Sequence, residues 1–137
     1  MLASAVSARP VVRRFLLDVQ RRFAREKGAV FEGRDMGTVV FPDADLKFFL
    51  DAPLAVRARR RHDELAGRSP QTLDDVRKDM ARRDHNDQTR SLAPLQPAVD
   101  AVVIDSTRLT PEEVVDRMLS EIKTLEGQRK RDAQTQI

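Results

Sequence analysis

Three short apolar runs, separated by stretches with helical spacing, limit what this chain can fold into more than any other feature. They are Ala29 to Glu32, followed by Gly33; Leu46 to Leu50, followed by Asp51; and Ala101 to Ile104, followed by Asp105. Runs this short and continuous fit strands buried on both faces. Around them the period lengthens. Val12, Phe15, Leu16, Val19 and Phe23 predict a helix starting near Ser7 and Pro10 and ending before Gly28. A second helix is predicted from Pro53 to about Leu65, broken by Gly67, Ser69 and Pro70. Thr72 with Asp75 makes an approximate capping box for a third, carried by Leu73, Val76 and Met80. The fourth is capped by Thr110, with Pro111 at its first position and Glu113 completing the box; Val114, Met118, Ile122 and Leu125 form its stripe. Strands alternating with helices over 137 residues predict one α/β unit with a parallel sheet.

Composition removes several classes of function. The chain has no Cys, which excludes disulfides and thiolate metal sites. His62 and His85 are too few for an all-histidine site. No apolar run approaches the roughly 20 residues that cross a bilayer, so cytoplasm is the default compartment. The Ala-, Ser- and Arg-rich stretch before Asp18 mimics a transit peptide, but it runs without a break into the first helical pattern, and a helix is the preferred reading. All six Phe lie at or before Phe49, so the later half must be cored by aliphatic residues and Met. Beyond Gly127 the chain is polar, and residues 127–137 are expected to fray as a disordered tail.

The charged residues are unusual in kind, because Arg outnumbers Lys 20 to 5. Arg is suited to bidentate recognition of phosphate and carboxylate, although a high-GC genome also favours its codons. Arg83, Asp87 and Arg90 share one face of a helix. They are either two guanidiniums and a carboxylate offered to a phosphate- and hydroxyl-bearing ligand or a solvated ion-pair ladder. Arg34 and Asp35 follow the first predicted strand at its carboxyl end, where open α/β sheets bind ligands. The same pair is also compatible with a simple contact to a helix end. Arg57, Arg59, Arg60 and Arg61 cluster on the second helix, as a solvated face or as phosphate contacts. No Gly precedes a Lys, so this chain contains no GxxxxGK[ST] phosphate cradle.

Four segments together resemble bacterial-type cytidylate kinase: GRDMGTVVFPDA at 33–44, the Arg-rich helix, RDHNDQTRSLAPL at 83–95 and AVVIDST at 101–107. The resemblance runs from about Ala3 to Leu125 and covers the C-terminal half of the family's domain, here residues 1–126 with a lid region at about 53–72. It implies an incomplete P-loop nucleoside monophosphate kinase-like fold, with flanking helices on a parallel sheet that lacks its central P-loop strand. The implied activity is transfer of the ATP γ-phosphoryl group to CMP or dCMP with Mg²⁺. By the same resemblance Ser4, Arg13 and Asp35 contact the cytosine ring, and a carboxylate at Asp35 would accept from cytosine's exocyclic amine and repel uracil. Arg83 and Asp87 read the ribose. Arg34 and Arg90 surround the phosphates, Arg90 also contacting CMP. Arg57, Arg60 and Arg61 fall in the lid helix that approaches ATP. Asn86 stands where many relatives carry Arg.

The resemblance also implies that the P-loop half of the domain lies outside this chain, through truncation, gene splitting or a misassigned start. Phosphoryl transfer is chiefly positioning and charge neutralisation, so the chain alone is expected to be a very poor kinase. In the family the P-loop strand lies between the strands read at Ala29 to Glu32 and at Leu46 to Leu50. Three outcomes stay open: the two strands close up, a partner chain such as a complementing N-terminal half supplies the missing strand, or the fragment is only marginally folded; poor solo stability is the expectation. Two other functions stay open at this stage: a catalytically dead CMP-binding or interaction module, and a basic nucleic-acid-binding protein. A net charge of +3 is a weak footprint for the latter.

Overall fold

A computed structural model describes residues 9–26, 28–89 and 95–135. Helix α1 (Pro10–Glu26) is followed by residues 28–35, which belong to neither helix nor strand, and by a π-helical turn (Met36–Val40). Strand β1 (Phe48–Asp51), helices α2 (Leu54–Glu64) and α3 (Leu73–Gln88), strand β2 (Val102–Asp105) and helix α4 (Pro111–Thr135) follow. The two strands pair in parallel, Phe48 opposite Val102 and Asp51 opposite Asp105, so both strands end in aspartate at the same edge. Helices α2 and α3 form the crossover that a parallel pair requires. The ladder is extended at both ends: Val102 N–H donates to the Lys47 carbonyl at 2.9 Å, and Ser106 N–H to that of Asp51 at 2.8 Å.

Local chemistry accounts for the helix boundaries. Pro10 occupies the first position of α1, where a missing N–H is harmless. Thr72 and Asp75 close a complete capping box on α3, each side chain bonding the other's backbone N–H. Thr110 and Glu113 do the same for α4, at 2.8 and 3.2 Å. Gly67, with φ of 76°, takes the chain out of the turn after α2 in a left-handed conformation that L side chains rarely adopt. The core is built of small residues: Ala52, Ala58, Val76 and Ile104 are buried, Ala58 completely. A methyl group there lets α2 and α3 approach closely.

Three expectations need correction. Residues 29–32 form no strand; Val30 is fully exposed, and the Phe31 ring packs tilted against Phe41 with ring centroids 4.5 Å apart. A strand needs a hydrogen-bonded neighbour, and none of the described residues provides one here. The apolar stripe that predicts α1 is only partly covered instead of serving as core, Val12 and Val19 being half-buried while Phe15 is 67% and Phe23 61% exposed. Polar ties from Arg13 and Arg21 orient that helix. Gly127 does not end α4, which continues to Thr135. Among the described residues only Gly67 is a glycine of positive φ, so Gly127 lacks the left-handed geometry of a helix stop.

Candidate functional site

The segment from Gly33 to Asp45 is held by elements on several sides. Its turn is organised by Asp35, whose carbonyl accepts N–H bonds from Val39 at 2.9 Å and Val40 at 3.2 Å. Phe41 N–H closes the wide π-type ring onto the Met36 carbonyl at 2.7 Å. The Asp35 carboxylate, half-buried, is engaged through Oδ2 by Arg13 of α1. Further along α1, Arg21 donates from Nε to the Val40 carbonyl at 3.0 Å and from Nη2 to that of Val39 at 2.9 Å. On another side, Lys47 is buried with its ammonium on the Pro42 carbonyl and on both Asp100 oxygens at 2.8 Å. Lys47 also explains Gly37, since a Cβ there would lie 3.2 Å from the lysine chain.

The same segment reaches α3. Arg34 pairs with Asp87, which is buried near the carboxyl end of that helix. The Asp87 backbone carbonyl accepts from Leu95 N–H at 2.8 Å, so the chain returns to this point after the helix. Arg34 and Asp35, neighbours in sequence, are thus tied to two helices that lie far apart in the chain. Each carboxylate has lone pairs for more than one donor. The cluster therefore combines guanidinium groups with carboxylate acceptors, the set that binds a ligand carrying both anionic and amine or hydroxyl groups.

Arg83 is on the exposed surface of α3. Ser4 and Arg90 lie outside the described residues. Arg57 donates to the Ala52 carbonyl at 2.8 Å and to Asp84 at 2.7 Å, tying α2 to α3. Arg60 reaches the Ser106 carbonyl at 2.5 Å and its hydroxyl at 3.1 Å, tying α2 to the loop after β2. Arg61 makes a surface pair with Glu64 at 3.0 Å.

At the carboxyl edge of the strands a second, open depression of about 530 Å³ is lined by Pro53, Asp105, Thr107, Arg108, Leu109 and Arg117. The Thr107 hydroxyl and backbone N–H both donate to Asp105 and hold its carboxyl below the usual aspartate range. Among the described residues no three Asp, Glu or His stand together in a way that would hold a metal ion.

Sequence reasoning missed Arg21 and Lys47. The signal for Lys47 was present: a lone lysine inside the apolar run Leu46 to Leu50 must either leave the core or find a buried partner. Arg21 had no such mark, because bonds from a side chain to backbone carbonyls depend on where the turn lies.

The cytidylate kinase family model matches residues 1–124. The chain is similar to the cytidylate kinase of Geobacter sulfurreducens, 55% identical over 126 residues, which are 91% of this chain and 54% of that protein. It is also 49% identical to that of Citrifermentans bemidjiense, covering 90% of this chain and 53% of the relative. With that of Coxiella burnetii it shares 48% identity, over 89% and 52% of the two chains. The chain thus spans about half the length of these curated relatives. A family match over residues 1–124, nearly the whole chain, makes this chain a member of the cytidylate kinase family.

Proposed function

We propose that this chain is the monophosphate-reading half of a cytidylate kinase, which transfers a phosphoryl group from ATP to CMP or dCMP. In that reaction an oxygen of the monophosphate attacks the γ-phosphorus, the bond to ADP breaks, and CDP or dCDP forms. The observation that carries the reading is the double tether of Arg34 and Asp35, one to Asp87 on α3 and the other to Arg13 on α1. In this reading Asp35 Oδ1, the oxygen not engaged by Arg13, accepts from the exocyclic amine of cytosine; the uracil carbonyl at the same place would be repelled. Arg34, with Arg90, neutralises phosphate charge, while Asp87 and Arg83 contact the ribose and Ser4 and Arg13 the base. Arg57, Arg60 and Arg61 belong to the lid beside ATP, and Mg²⁺ enters only with the nucleotide phosphates. Lacking a GxxxxGK[ST] cradle of its own, the chain binds CMP but turns it over very poorly unless the remaining half of the domain is supplied.

Calorimetric titration with CMP and UMP tests this directly. CMP is expected to bind at least about tenfold more tightly than UMP, and Asp35→Asn to remove the difference, since an unmade buried hydrogen bond is worth about 1–3 kcal/mol. Equal affinity for the two nucleotides, or none for either, would sink the proposal. A coupled ADP-release assay on the same chain is expected to show turnover far below that of the full-length relatives.

A further inference from the structure

We infer that Arg21 is a positioning residue for nucleobase discrimination, acting through the turn that carries Asp35 and not by touching the ligand. The inference rests on the nucleotide reading above and adds to it a device that sets where the discriminating carboxylate stands. The Asp35 carbonyl is the anchor of the 36–40 turn, accepting from Val39 and Val40. The carbonyls of those same two residues are the ones Arg21 holds, at 2.9 and 3.0 Å. Arg13, on the same helix, holds the Asp35 side chain. One rigid helix therefore fixes both the backbone turn and the carboxylate that projects from it, and their separation is set by the helix, about 1.5 Å per residue. Lys47 secures the following segment through Pro42 and is itself anchored on Asp100. Val40 is buried, so the turn cannot relax outward without also exposing an apolar side chain. A base-reading group must be held to within a fraction of an ångström to discriminate, and supporting contacts of this kind supply that restraint.

The test uses the full chain with Arg21→Gln and Arg21→Lys, and with Arg22→Gln as control, since Arg22 is an exposed neighbour on α1. Two readouts are taken: amide hydrogen exchange, and calorimetric affinities for CMP and UMP. Arg21→Gln is expected to speed exchange at Val39, Val40 and Phe41 by at least about tenfold. Amides of α3 should exchange as in the parent chain. The same variant should lower the CMP-over-UMP ratio several-fold, with Arg21→Lys intermediate and Arg22→Gln unchanged. Parent-like exchange at those three amides in Arg21→Gln overturns the inference. So does an unchanged CMP-over-UMP ratio in that variant when Asp35→Asn abolishes it, a result that leaves the nucleotide reading intact. A parent chain that does not distinguish CMP from UMP sinks the nucleotide reading, and the discrimination role falls with it, whatever the exchange data show.

Discussion

Asp87 shows how a residue marked by spacing acquires its meaning from a contact. Its place four residues after Arg83 is compatible with a surface ladder, yet its side chain is buried and its partner is Arg34, far away in sequence. Removing one member of a buried pair leaves the other uncompensated, at a cost of about 3–5 kcal/mol when both are fully desolvated. Arg34 is one-third exposed, so solvent screening reduces this, and Asp87→Ala is expected to destabilise the chain by about 1–3 kcal/mol in urea unfolding. Arg34→Ala should cost a comparable amount, because the contact it removes belongs to the more buried partner. The arginines of α2 are a contrast. Their cluster was plain in the sequence, but Arg57 and Arg60 lie against Asp84 and Ser106, and no spacing rule identifies such partners.

Helix starts were legible because capping chemistry is local: the donor and acceptor lie within three residues, and tertiary packing does not change them. Thr110→Ala is expected to remove about 0.5–2 kcal/mol from α4, read as lost ellipticity at 222 nm and earlier melting. The box on α3 is in addition a pH-dependent device. The Thr72 hydroxyl and backbone N–H hold the Asp75 carboxyl below its ordinary value. A depressed folded-state pKa means the contribution is present above the unfolded value of about 3.9 and is lost as pH falls through the lower folded value. Protection of the first-turn amides of α3, taken relative to their intrinsic exchange rates, should therefore fall below about pH 4, and Thr72→Ala should remove that dependence. Helix ends and the first predicted strand were less legible. Gly127 marks a stop only if its backbone turns left-handed, and an apolar run such as Ala29 to Glu32 becomes a strand only beside another strand.

At the scale of the whole chain, large apolar side chains stand exposed on several elements. Phe15 and Phe23 on α1, Leu50 and Val103 on the sheet, and Val115 and Leu119 on α4 are all exposed. The two-stranded parallel sheet leaves backbone groups free for further pairing among the described residues. We propose that the half of the family's length not spanned here covers these faces. Adding a polypeptide with that half of the Geobacter sulfurreducens relative is expected to raise both the melting temperature and CMP-dependent ADP release. Phe15→Ser with Phe23→Ser should change the stability of the isolated chain by no more than about 0.5 kcal/mol, as surface substitutions do, yet weaken that complementation. Helix identity, caps, the parallel α/β class and the family were all readable from residue order, because propensity, period and motif are properties of neighbours along the chain. The partial exposure of the α1 stripe, the pairing of Arg34 with Asp87 and the grip of Arg21 on the Asp35 turn came from the folded arrangement. Each depends on which distant groups meet, and on whether an apolar face finds a surface to cover it.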